Sequence, residues 1–418
     1  MKQAKLQFNI MALSLLTAST AFATDGYFSH GYGVKTQATG GAGIALPQDS
    51  LAAASNPAGI AWTGNRVDGG LSWFSPSRNT EITGNGVPGV NGSYDGNDKK
   101  NFWLPELGYT RQLSRDISVG IAAYGNGGMN TDYGKNPYAG FGSKGSAGVN
   151  LEQLFISPSL AYKVNDQHAF GAAVNFAYQR FSAKGVSVFS SASIDSKNLT
   201  DNGNDSSTGW GLRLGWTEQI TPELTLGATW ASKVKTGNFE KYRGLFAQGG
   251  GFDIPENYGV GLAYKVHPQL TLAADLQQIK YGDISSIANP LANLFAGNPL
   301  GSEKGAGFGW RDITVVKVGA IYDYSNDLTL RAGYNHGGQA VPASETFFNV
   351  LAPGVVQDHL TLGATYKLAN GAELSFSYTH GFKKTVNGNN SIPASFGAGN
   401  ANISLSENIA GVAYGWKF

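Results

Sequence analysis

Six histidines are the first candidates for chemistry: His30, His168, His267, His336, His359 and His380. None stands at metal-ligand spacing from a second histidine or a carboxylate. No Gly-x-Ser-x-Gly nucleophile elbow occurs either. No catalytic residue, metal site or cofactor is therefore expected, and the chain does not read as an enzyme. A net charge of +1 gives no reason to expect nucleic acid. Apolar residues in segments that should be polar loops say more. Phe239, Tyr242, Leu245 and Phe246 fall at helical spacing within 235–254. Phe189 stands out in 185–207, and Leu291 and Phe295 in 282–300. Exposed loops carry such residues to pack or to bind, and one residue can do both. An apolar ligand bearing a carboxylate would also want a cation, best an arginine. Arg180 and Arg311 are the candidates, although strand parity puts Arg180 outward and Arg311 could pair with Asp312.

The elements that must position these residues are strands. Of the 418 residues 14% are charged, 12% are aromatic and 58 are glycine, against about 25% charged in soluble domains. Residues 1–23 read as a secretory signal: Lys2 and Lys5, an apolar run, then Ala21-Phe22-Ala23. With no cysteine, the exported chain uses no disulfides. No run of 18 apolar residues follows, so a membrane could be crossed only by a closed barrel. Strict alternation recurs in fourteen segments between 65 and 418, joined by six short turns and seven long loops. Seven phrases, among them Leu107-Gly-Tyr, Leu160-Ala-Tyr, Leu214-Gly-Trp and Val412-Ala-Tyr, end alternate segments on an outward aromatic. An aromatic at constant depth suits a membrane interface. A propeller or a soluble sandwich would not require it. The expectation is an all-β, 14-stranded antiparallel transmembrane β-barrel over 65–418, with short turns in the periplasm and long loops outside.

Residues 24–64 lack the rhythm. They hold Gly40-Gly-Ala-Gly-Ile-Ala, Asp49 and Asn56-Pro57-Ala58. Pro57 should end a short Ala-rich helix near Asn56. Too polar to span lipid and too small for a core of its own, the segment suits the barrel lumen as an N-terminal hatch. Together with Gly250-Gly-Phe-Asp-Ile-Pro, Gly309-Trp-Arg-Asp and the aromatic C-terminus, these motifs resemble the FadL-type outer-membrane transporters of hydrophobic compounds. The resemblance spans nearly the whole mature chain. It implies a bacterial outer-membrane location and uptake of long-chain fatty acids by binding in the outer loops and a barrel pocket. It further implies hatch movement involving Asn56, Pro57 and Ala58, and sideways release into lipid through a gap caused by a kinked strand near that Asn-Pro-Ala segment. Phe418 resembles the signal read by barrel-assembly machinery, and a monomer is expected. An aromatic-hydrocarbon channel and a structural or adhesive barrel remain open alternatives.

Overall fold

A computed structural model describes residues 25–418; the signal sequence expected over 1–23 lies outside the described residues. The chain forms one antiparallel sheet in which the last strand pairs with the first, Arg66 opposite Lys417 and Thr83 opposite Asn400. Closure leaves neither terminal strand as a free edge, and every second side chain points inward.

The barrel strands are β1 Arg66–Thr83, β2 Phe102–Gln112, β3 Ile117–Tyr133, β4 Ala147–Lys163, β5 His168–Lys184, β6 Asp205–Gln219 and β7 Leu224–Ala231. They continue as β8 Asn257–His267, β9 Leu270–Ile279, β10 Ile313–Asp323, β11 Leu328–Gly337, β12 Asp358–Lys367, β13 Glu373–Val386 and β14 Asn400–Lys417. Two short strands, Gly92–Asp95 and Lys235–Thr236, belong to loops that fold against β1 and β6. The fourteen alternating segments are these strands, with β1 and β3 longer than alternation suggested. Each extension lies where the outward residues turn polar and the period-two signal fades.

The landmark aromatics face outward. In β8, Tyr258, Val260, Leu262, Tyr264 and Val266 are all exposed, while Gly259, Gly261 and Ala263 point into the lumen. Tyr162, Tyr264, Tyr366 and Tyr414 repeat the arrangement near the short-turn end. The small residue beside each aromatic has its own structural reason. Ala161 and Ala169 pack on Ala58 and Ile60, and Ala263 and Ala273 pack on Ala42 and Ala45. The lumen wall is small where the N-terminal segment lies against it.

That segment, 25–64, runs through the interior with little regular structure. Its short helix Ala52–Ser55 stops at Asn56, whose backbone is extended ahead of Pro57. Pro57–Ala61 then turns against β4, β5 and β6. Contact is closest at two wall glycines. A Cβ on Gly171 would lie 2.2 Å from the Ala58 nitrogen, and one on Gly215 would lie 1.9 Å from the Asn56 side-chain oxygen. Backbone cannot give way as a side chain tip can. Gly171→Val should therefore dislodge the segment and leave the barrel intact. Limited proteolysis should cut residues 25–61 much faster in the variant, while gel mobility of the unheated protein stays that of a folded barrel. Unchanged protection of the segment would contradict the close approach.

Candidate functional site

The interior is built from three features: a segment tied to the wall, a gap in that wall, and an apolar cavity at the long-loop end.

The ties come from inward carboxylates and hydroxyls. Asp275 on β9 accepts from the Gly43 and Ile44 backbone N–H groups at 2.8 and 3.0 Å. Asp68 on β1 accepts from the Ser50 N–H and hydroxyl at 3.0 and 2.6 Å. Glu106 on β2 accepts from Val34 N–H at 2.9 Å. Thr361 on β12 accepts from Gly40 N–H at 2.9 Å and donates to the Ala38 carbonyl at 3.0 Å. Lys35 forms an ion pair with Glu373, which also holds Arg66 at 2.9 Å. Asn56 donates to the Trp216 carbonyl at 3.0 Å and to Ile44 at 2.8 Å, and caps Ala58 at 3.1 Å. These bonds satisfy backbone groups that no helix or sheet satisfies.

The gap lies between β2 and β3. Their pairing runs from Gln112↔Ser118 to Leu107↔Ala123 and stops there. Yet β2 begins at Phe102 and β3 continues to Tyr133. A bulge between Gly125 and Gly127 bends β3 at this point. The N-terminal segment covers the inner side of the bend. Phe28 bridges Gly127, the Tyr27 carbonyl accepts from Gly128 at 2.9 Å, and Ser29 donates to the Asn126 carbonyl at 3.0 Å. Tyr32 adds a 3.0 Å bond to the Asn126 side chain. Tyr281, from the loop after β9, accepts from the backbone N–H groups of Tyr27 and Phe28 at 3.1 and 3.3 Å. Sequence reasoning missed Tyr27, Phe28 and Tyr281 as site residues. An aromatic in a Gly-rich stretch was the available signal.

The cavity is narrow, about 40 Å³. Strand tops supply Val149 and Phe181, and the loops supply Phe189, Leu245, Phe246, Leu300, Phe308, Phe348 and Leu351, with Ser286 bringing the one hydroxyl. The lining suits an apolar molecule, which would have to push the side chains apart to enter. Phe189, Leu245 and Phe246 line it as the loop sequences suggested. Phe239, Tyr242 and Leu291 do not line it but are buried in the same apolar cluster, with Phe239 and Tyr242 packed on Phe181 at ring distances of 5.5 and 4.9 Å. Phe295 is a correction. It is 51% exposed and apart from the cluster, because its short helix turns that face to solvent.

Neither proposed carboxylate partner faces the cavity. Arg180 lies on the outward parity of β5, held by Glu152 at 2.6 Å beside a polar recess with Asp132 and Lys184. Arg311 is exposed, and its neighbour Asp312 pairs with Lys280 instead. The Gly-Trp-Arg-Asp motif contributes through Trp310, buried against Tyr27 and Tyr281.

A buried polar group lies between segment and wall. His30 stacks on His359 at 5.8 Å, its carbonyl accepts from Lys317 at 2.9 Å, and Asp25 faces Lys317 at 3.8 Å. Burial raises Asp25 to about 6. Burial, reinforced by the Lys317 charge, lowers His30 to about 3.

Outward apolar belt, closed wall and apolar chamber together define an integral outer-membrane β-barrel that handles an apolar ligand. The chain belongs to the outer membrane protein transport protein family (OMPP1/FadL/TodX), whose family model matches residues 12–418. It is thus an outer-membrane transporter rather than an enzyme. It is 26% identical over 427 residues to the long-chain fatty acid transport protein of Escherichia coli K12, covering 90% of this chain and 92% of that one. The Salmonella typhi protein of the same name is 25% identical, covering 77% of each. Among solved structures, the Pseudomonas putida toluene transporter TodX superposes with a TM-score of 0.70 at 21% identity, covering 93% of this chain and 99% of that one. A Pseudomonas aeruginosa FadL homologue reaches 0.71 at 16% identity, covering 94% and 100%. At these identities the structures speak for the fold alone.

The lowered His30 pKa fixes a sign. Its neutral ring contributes stability fully above pH 6.5, and that contribution is lost as pH falls toward 3. The difference in hydrogen-exchange protection of the segment between wild type and His30→Gln should shrink and then reverse over this window. A pH-independent difference would contradict a buried neutral histidine.

Proposed function

We propose that the barrel takes up hydrophobic molecules, long-chain fatty acids foremost, with residues 24–64 acting as a hatch. Ligand enters from the outer loops into the apolar cavity. Displacement of Tyr27–Tyr32 from the β3 bend then opens the β2–β3 gap, and ligand leaves sideways into the membrane. The observation that carries this reading is the coincidence of the wall gap with the stretch of N-terminal segment that covers it. Sideways release suits an apolar cargo, which loses about 0.8 kcal/mol for each CH₂ returned to water. The names of the curated relatives support a fatty acid.

Asn56, Pro57 and Ala58 serve as the hinge on which the hatch rests in this reading, because their bonds to β6 fix the end from which the segment would swing. Barrel closure within one chain supports a monomer. Phe418, exposed beyond the last strand and stacked on Tyr109, supports its role as the residue offered to assembly machinery. Aromatic hydrocarbons remain the second reading, favoured by a cavity whose lining includes no charged side chain.

Leu245→Trp fills the cavity. Uptake of radiolabelled oleate by cells dependent on this protein should fall roughly tenfold, the effect of about two buried CH₂ groups. Toluene uptake, measured alongside, separates the two readings. Normal uptake of both ligands by an assembled Leu245→Trp barrel would remove the cavity from the route.

A further inference from the structure

We propose that Tyr281 couples the filling of the apolar cavity to release of the N-terminal segment from the β3 bend. The inference rests on the transport reading above and adds how the segment senses that cargo has arrived.

Tyr281 lies at the start of the loop joining β9 to β10 and is fully buried. Its hydroxyl sits inside the turn that Asp25 to Phe28 make. It accepts from the Tyr27 and Phe28 N–H groups and donates to the Asp25 carbonyl. One side chain thus satisfies three buried backbone groups of the turn. The turn's own closing bonds are the Asp25 N–H to the Phe28 carbonyl at 3.0 Å and the Phe28 N–H to the Asp25 carbonyl at 3.4 Å. Glycine makes the fit possible. Gly26 has a φ of +73°, and a Cβ there would lie 2.7 Å from the Tyr281 ring.

The same loop forms much of the cavity wall, through Ser286, Leu300, Ala306, Gly307 and Phe308. Trp310 joins that wall to the turn. Its ring lies 6.4 Å from Phe308, 5.2 Å from Tyr281 and 6.1 Å from Tyr27. Backbone bonds follow the same path: Trp310 N–H to the Ile287 carbonyl at 3.0 Å, Ile287 to Ile284 at 2.9 Å, and Ile284 to Tyr281 at 3.2 Å. A second aromatic path starts at Phe246 in the cavity wall. Phe246 packs on Phe252 at 4.9 Å, and Phe252 lies 6.2 Å from Tyr27.

The cavity is too narrow to take cargo without parting its side chains. A ligand shifts an equilibrium only by its differential affinity for the two states. Here the difference is steric, because cargo fits the parted wall and not the closed one. Close-packed interiors pass such a displacement on rather than absorbing it. Moving Phe308 carries Trp310 and Tyr281 with it, and the hydroxyl leaves the turn. Tyr27 and Phe28 then lose both their shared acceptor and the rings that hold them at Gly127 and Gly128. An empty cavity keeps the gap covered, and a filled one uncovers it.

The test is hydrogen exchange of the purified full protein in phospholipid nanodiscs, without ligand and with oleate or toluene. Uptake of both labelled compounds by cells that depend on the protein is measured in parallel. In wild type, ligand should speed exchange of the Tyr27 and Phe28 amides about tenfold or more. Tyr281→Phe keeps the ring and removes the hydroxyl. It should exchange these amides about tenfold faster without ligand, and ligand should then add less than about twofold. Gly26→Ala, which pushes the ring out of the turn, should behave alike. Faster exchange in Tyr281→Phe with an undiminished ligand response makes the hydroxyl a structural bond only and overturns the proposal. Unchanged exchange in that variant overturns it too. Wild-type exchange that ignores both ligands, while cells take up either, overturns the coupling and spares the transport reading. Uptake of neither overturns both. If Tyr281→Phe fails to assemble, judged by heat-modifiable gel mobility, Gly26→Ala decides on the same criteria.

Discussion

The interior depends on one constraint: a buried stretch of backbone with only short helices leaves polar groups that need partners from the wall. Asp68, Glu106, Asp275, Glu373 and Thr361 supply those partners from strands spread around the barrel. A carboxylate facing the lumen would be expensive alone. Bonded to two backbone N–H groups, as Asp275 is, it becomes a clamp. The arrangement makes the wall and the segment mutually dependent, since removing either partner strands the other. It also explains why the lumen can be polar without being an open water channel.

Small wall residues are the steric half of the same constraint. The segment approaches Gly171 and Gly215 so closely that any side chain would collide, and Ala161, Ala169, Ala263 and Ala273 leave room for its alanines. Each landmark phrase thus serves both faces of its strand. The aromatic sits at the membrane interface, and in several phrases the preceding small residue receives the segment.

Where the wall is bent, the constraint loosens. The bulge at Gly125–Gly127 ends pairing with β2, and Tyr27 to Ser29 take up part of the bonding that a strand would have had. Such bonds can be exchanged for others more readily than a full ladder can. Tyr281 links this stretch to the loops that line the apolar cavity, through a ring set against Tyr27 and Trp310. Cavity, N-terminal segment and gap therefore form one contiguous series of contacts.

Strand number, turn and loop order, outward aromatics and the irregular N-terminal segment were legible in the sequence, because period-two alternation and turn chemistry are local properties. Apolar residues in loops were legible for the same reason; Phe189, Leu245 and Phe246 line one cavity, and Phe239, Tyr242 and Leu291 are buried in the same cluster. Phe295 does neither, since a loop's local pattern does not say which side of a short helix meets its neighbours. Arg180 and Arg311 were chosen by residue type and place in the chain, and neither reaches the interior. Only the tertiary structure decided which inward residues meet. Gly40 and Thr361 are separated by 321 positions and still share a hydrogen bond. Pairing between β2 and β3 stops where both strands continue; Pro105 and Gly125-Asn-Gly-Gly are local breaks in the two strands, but only the register shows that they fall against each other. Barrel closure sets these contacts, through a register that no short stretch of sequence contains.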